Sequence, residues 1–203
     1  MAHPGFVGRM TIDEYFAFEE HTPATHEYVD GEVFAMSGVT RRHSAIVGNV
    51  QMRLRMAARG TPCRVHASEM KLQTDRVVYC PDVMVACDSE PADERVELAP
   101  CLVVEVLSPS TESIDRREKL LIYKGIPSVR AYLIVDQMQK RVDAHVRGVD
   151  DGWTVEALID QGTLRIPCAP LDATLTLDEI YEGVTMPTLE QQLRLREEEA
   201  AYF

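Results

Sequence analysis

An α/β architecture, with a mixed central sheet flanked by helices and preceded by a helix and a hairpin, is what this sequence predicts. Three observations carry that expectation. Cys63 to Leu72, Val77 to Cys87 and Cys101 to Leu107 are strand-like runs in close succession. Thr111 to Lys124 then takes up helical spacing and is followed by the strand-like Ala131 to Asp136, the order of a parallel crossover. Asp30-Gly31 sits between two short β-prone runs, which is the signature of a hairpin turn.

The elements follow in order. Thr11 to Glu20 opens on a capping threonine and spaces Ile12, Tyr15, Phe16 and Phe18 as a short amphipathic helix, which Pro23 ends. Glu27 to Met36 is the hairpin, broken by Ser37-Gly38. From Arg42 to Arg59, Ile46, Val50, Leu54 and Ala57 share one helical face until Gly60-Thr61-Pro62, so the longest internal helix is expected here. The three strand runs come next, the last two separated by the acidic loop Asp88 to Pro100. In the crossover helix Ile114, Leu120, Leu121 and Tyr123 keep the helical period, and Gly125-Ile126-Pro127 stops it. Further strands are expected at Arg141 to Val146, Trp153 to Leu158 and Thr163 to Ile166, and a short helix near Leu177 to Tyr181. With no repeats or low-complexity linkers, Met1 to Met10 reads as an N-terminal segment, Thr11 to Met186 as one domain and Pro187 to Phe203 as a charged helix.

Composition narrows the function classes. The chain has 203 residues, 45% of them hydrophobic, enough for a substantial core. Its apolar runs fall far short of the roughly 20 residues that cross a bilayer. The first ten residues lack the basic start and apolar stretch of a secretory signal, so a cytoplasmic location and no membrane partner are expected. Five cysteines without a C-x-x-C pair, among apolar neighbours, read as free thiols in strands. A formal charge of -12 argues against coating nucleic acid through a broad basic surface. It does not exclude a nuclease, whose metal site needs carboxylates and whose ions restore local positive charge.

The chemistry-bearing feature is Cys80-Pro81-Asp82-Val83-Met84-Val85, followed by Glu105 in Val103-Val104-Glu105-Val106-Leu107. Each carboxylate interrupts an apolar strand. Burying such a group is costly without a compensating partner, and a divalent cation shared by neighbouring strands is strong enough to supply one.

Six pieces, H-E-Y-V-D-G-E-V, R-H-S-A-I-V-G-N-V, P-D-V-M-V, V-V-E-V-L-S-P-S-T, D-R-R-E-K-L-L-I-Y and Y-L-I-V-D, stand in this order. Together they resemble the Uma-type family of candidate restriction endonucleases, within the PD-(D/E)XK nuclease superfamily. The resemblance spans about Thr11 to Gly183.

It implies a restriction-endonuclease-like fold and a metal-dependent endonuclease acting on DNA. By position, Asp82, Glu105 and the backbone carbonyl of Val106 would hold Mg²⁺ or Mn²⁺, ions suited to hard oxygen ligands. The superfamily lysine two residues after the glutamate is replaced here by Leu107. In the Uma-type pattern the lysine comes from the next helix, which matches Lys119, with Lys71 as the fallback. Glu27 matches a further acidic residue that would ligate the metal or hold a metal-bound water. His43 reads as a capping or loop-contact residue and Tyr123 as packing on the lysine stem. Arg41, Arg42, Arg116 and Arg117 form two small basic clusters suited to phosphate contact or to an ordinary surface. Duplex cutting implies a homodimer, since two strands need two sites. A non-catalytic nucleic-acid-binding or assembly module on the same fold, or hydrolysis of another phosphodiester, are the alternatives.

Overall fold

The computed structural model describes residues 6–36, 38–88, 90–108, 112–188, 190–192 and 194. In chain order they form β1 (Phe6–Arg9), α1 (Ile12–Glu19), β2 (His26–Val29), β3 (Glu32–Ala35), α2 (Arg41–Ala57), β4 (Arg64–Ala67), β5 (Lys71–Gln73), β6 (Val77–Tyr79), β7 (Val83–Ala86), β8 (Val96–Glu97) and β9 (Leu102–Val106). A helical stretch follows, made of α3 (Glu112–Ile114), a π-helical turn (Asp115–Lys119) and α4 (Leu120–Gly125). The chain continues with β10 (Ala131–Val135), β11 (Arg141–Arg147), β12 (Trp153–Ile159), β13 (Thr163–Ile166), β14 (Ala173–Thr176) and α5 (Leu177–Ile180). Most of the expected C-terminal helix, and Thr111 at the expected start of the crossover helix, lie outside the described residues.

The main sheet runs β12-β11-β10-β9-β7-β4. It is mixed because β9 and β10, joined by the helical crossover, are parallel while their neighbours are antiparallel. A second sheet, β1-β3-β2-β6-β5-β8, holds the N-terminal hairpin. That hairpin turns at Asp30 and Gly31, with φ of 47° and 93°, a conformation glycine takes without a steric penalty and aspartate tolerates. α1 begins with the capping box between Thr11 and Glu14.

Two of the expected strands are each divided between the sheets. Ser68, at φ 44°, separates β4 from β5, and Pro81-Asp82 separates β6 from β7. Proline has no N–H for a ladder, so the strand breaks where the aspartate stands. Asp82 therefore occupies the seam where the chain leaves one sheet for the other.

Both faces of the main sheet are covered, which is why its central strands read as continuous rather than alternating apolar runs. One face packs Val104, Val106 and Leu133 against Ile46, Val50 and Leu54 of α2. The other packs Val103, Leu107, Tyr132 and Ile134 against Tyr123 and Ile126. Glu105 has the same side-chain parity as Val103 and Leu107, so it points to the face covered by the crossover helix.

The cysteines correct the expectation of free thiols. Cys63 is disulfide-bonded to Cys87 and Cys101 to Cys168, and Cys80 is the free cysteine among the described residues. The register that sets Arg64 opposite Ala86 brings Cys63 opposite Cys87, with their Cα atoms 4.0 Å apart. Such a pairing depends on strand register and is invisible in linear spacing. No described helix is long and apolar enough to cross a membrane.

Candidate active site

Three backbone elements and one wide helical turn converge on a buried polar cluster. Glu105 projects from the middle of the main sheet, Asp82 from the seam before β7, and Glu27 from β2 of the second sheet. Above them, the π-helical turn directs both Asp115 and Lys119 inward, and each is nearly inaccessible to solvent. A π turn inserts an extra residue into a helix and recurs at functional positions.

Lys119 Nζ donates to Glu105 Oε1 at 3.1 Å and to Glu27 Oε1 at 3.0 Å, and stands 3.4 Å from Asp115 Oδ1. Glu105 Oε1 also accepts from the Tyr123 hydroxyl at 2.8 Å. Asp82 Oδ2 accepts from the Val106 N–H at 2.8 Å and lies 3.1 Å from His43 Nε2. Glu27 Oε1 accepts a further bond from the Cys80 N–H, which holds the end of β6 beside β2 just before the seam. In an extended strand the N–H and C=O of one residue lie on the same edge, so the Val106 carbonyl is on the Asp82 side of β9.

The electrostatics of the cluster are unbalanced. Burial pushes the Glu105 carboxyl well above the usual carboxylate range; Lys119 opposes this, and Asp115, Asp82 and Glu27 add to it. Burial would lower the Lys119 ammonium, but Glu105, Glu27, Tyr123 and Asp115 together hold it well above the ordinary lysine value. Both directions express one condition, an excess of negative charge in a volume with little water. Burial, and then the Glu105 charge, keep Tyr123 a neutral phenol and hence a donor.

That condition fits a bound cation. Asp82 Oδ1 and Glu105 Oε2 accept no hydrogen bond from any described residue, so each acid retains one oxygen for a further partner. Oxygen donors of this kind suit Mg²⁺ or Mn²⁺.

The expected residues are thus mostly brought together. Leu107 fills the apolar core beside Tyr79 and Tyr123, so the strand position two after the glutamate is used for packing. Lys119 reaches Glu105 from the helix, whereas the fallback Lys71 is paired with Glu19 of α1 at 3.0 Å. Three members escaped the sequence reading or were read differently. His43 contacts Asp82, while Thr40 caps α2. Tyr123 both packs in the core and bonds to Glu105. Asp115 is not singled out by the sequence pattern; its place four residues before Lys119 is the available signal. Of the basic clusters, Arg116 is engaged by Asp143 and Glu112, and Arg41 and Arg117 are exposed.

A family model described as "Putative restriction endonuclease", Uma2, matches residues 12–178. The chain belongs to the Uma2 family. Relatives include two uncharacterized proteins of Synechocystis sp., slr1290 and sll1609. The first is 33% identical over 181 residues, covering 87% of this chain and 93% of that protein. The second is 27% identical over 158 residues, covering 75% and 89%. A crystal structure described as "a putative nuclease" from Anabaena variabilis superposes with a TM-score of 0.70 at 18% identity, covering 87% of this chain and 99% of that one. At that identity the likeness establishes the fold, which is restriction-endonuclease-like as the sequence predicted.

Tyr123→Phe is expected to destabilise the protein by about 0.5–1.5 kcal/mol, the usual net worth of a hydrogen bond. Urea denaturation measures it; an unchanged midpoint would mean that the phenol contributes only packing.

Proposed function

We propose that this family member is a metal-dependent endonuclease that hydrolyses DNA phosphodiester bonds. The observation that carries the reading is the buried acidic cluster itself: Lys119 Nζ stands 3.0 Å from Glu27, 3.1 Å from Glu105 and 3.4 Å from Asp115, and Asp82 accepts from the N–H of the residue after Glu105. Asp82, Glu105 and the Val106 carbonyl would hold Mg²⁺ or Mn²⁺. The bound ion would polarise a phosphoryl oxygen and lower the pKa of a water.

The chain's own groups supply the rest. His43 and the Val106 N–H fix Asp82 Oδ2, leaving Oδ1 directed elsewhere. Tyr123 and Lys119 fix Glu105 Oε1 in the same way. Two Lys119 protons are committed to Glu27 and Glu105, while the third faces Asp115 across a longer 3.4 Å. That third donor can turn toward an incoming water or a phosphoryl oxygen on which charge develops. Glu27, bonded to the ammonium, limits where it can move.

Calorimetric titration with Mn²⁺ tests the site without requiring the right DNA sequence. The expected result is binding of about one or two ions by the wild type and loss of binding in Asp82→Ala and Glu105→Ala, each first shown to be folded. No binding by the wild type, with or without DNA, would leave the non-catalytic nucleic-acid-binding or assembly module as the better reading.

A further inference from the structure

A second cluster of potential ligands lies outside this site. Cys63 immediately precedes β4, Cys87 follows β7, Cys101 immediately precedes β9, and Cys168 follows β13. Three of them are set by one sheet, since β4 pairs with β7 and β7 with β9. The two disulfides are adjacent, with Cys87 Sγ and Cys101 Sγ 3.8 Å apart. All four side chains belong to or pack against the apolar core beneath α2.

We propose that Cys63, Cys87, Cys101 and Cys168, once both disulfides are reduced, form a tetrathiolate site for a thiophilic divalent ion, Zn²⁺ first among them. Four thiolates at about 2.3 Å from zinc form the usual closed structural site. A tetrahedron of that size has edges of about 3.8 Å, the separation already present between Cys87 and Cys101. The β4–β7 and β7–β9 ladders hold three ligands together without any sulfur–sulfur bond. Arg64, beside Cys63, also donates to the carbonyl of Asp88, beside Cys87, at 2.8 Å. Soft thiolates select zinc over the hard ions suited to the carboxylates, so the two sites would not compete.

A disulfide-bonded sulfur offers no thiolate to a metal ion. The site therefore exists in one redox state. Each disulfide takes two electrons and two protons from a dithiol reductant, which leaves as its own disulfide. Four cysteine thiols result, and Zn²⁺ binding releases their protons to solvent.

The test compares the oxidised chain with the same chain reduced by a phosphine, using Co²⁺ as a spectroscopic probe and Zn²⁺ as its competitor. Expected for the reduced chain is one Co²⁺ with intense thiolate-to-metal charge-transfer absorption and tetrahedral ligand-field bands, displaced by one Zn²⁺. The oxidised chain should show neither. Carboxylate-bound Co²⁺ lacks the charge-transfer band, so this outcome is separable from the Asp82–Glu105 site. Cys87→Ser and Cys168→Ser should lose or diminish the band and Cys80→Ser should keep it. The wild-type comparison stands even where a serine variant does not fold. Absence of the band in the reduced wild type, or its dependence on Cys80, would overturn the proposal.

Discussion

Asp82→Asn is expected to lower metal-dependent phosphodiester cleavage by at least about 10³-fold, because Lewis-acid polarisation supplies several kcal/mol and each ~1.4 kcal/mol is a factor of ten. The substitution is chosen to preserve shape. An asparagine oxygen can still accept from the Val106 N–H, as Asp82 Oδ2 does. Its amide nitrogen then stands where Oδ1 was, a donor in place of a ligand. Hydrolysis of supercoiled plasmid and of bis(4-nitrophenyl) phosphate in Mn²⁺ would measure the loss, the second substrate removing dependence on a recognition sequence. Wild-type rates in Asp82→Asn would put the chemistry elsewhere in the molecule. A wild type that binds the metal but cleaves neither substrate would favour the non-catalytic module.

Lys119→Met should destabilise the fold by about 3–5 kcal/mol, the cost typical of removing one partner from a buried ion pair. Methionine preserves much of the length of the side chain but leaves Glu105, Glu27 and Asp115 without the ammonium that now contacts all three. Urea denaturation gives the loss, and two further measurements assign its cause. Adding Glu105→Gln should restore part of the stability, since the neighbouring substitutions are then non-additive. Mn²⁺ should restore part of it as well, because a ligand that binds only the folded state stabilises it by mass action. A Lys119→Met protein as stable as wild type would show that the ammonium does not compensate the cluster.

The parts of this site that were legible in the sequence share one property: they violate their surroundings. Asp82 and Glu105 stand out because each interrupts an apolar run; outside the site, Asp30-Gly31 stands out because its turn chemistry is specific. Lys119 was found through the family resemblance, since a lysine in a charged helix has no local signal of its own. His43, Asp115 and Tyr123 were illegible because their roles depend on what faces them. His43 meets Asp82 across the fold, and Tyr123 meets Glu105 only after the crossover helix docks on the sheet. The strand break at Pro81-Asp82 was hidden because apolar residues flank it on both sides, where both adjoining strands are buried. Disulfide pairing was illegible for the same reason as the cross-fold contacts, being a consequence of register.

The π-helical turn makes chain length at one point a rotational setting. The wide turn absorbs one extra residue; carried instead as regular α-helix, the same residues would rotate the segment after the turn by about 100° relative to the segment before it, the angular step of a 3.6-residue turn. Asp115 and Lys119 would then no longer share their present alignment with Tyr123. A one-residue insertion carried as regular α-helix between Lys119 and Tyr123 would leave every named side chain in the sequence yet dismantle their convergence, whereas substitutions on the exposed side, such as at Leu121, would leave it intact. Among relatives, identity at these positions is therefore informative only together with the count of residues between them.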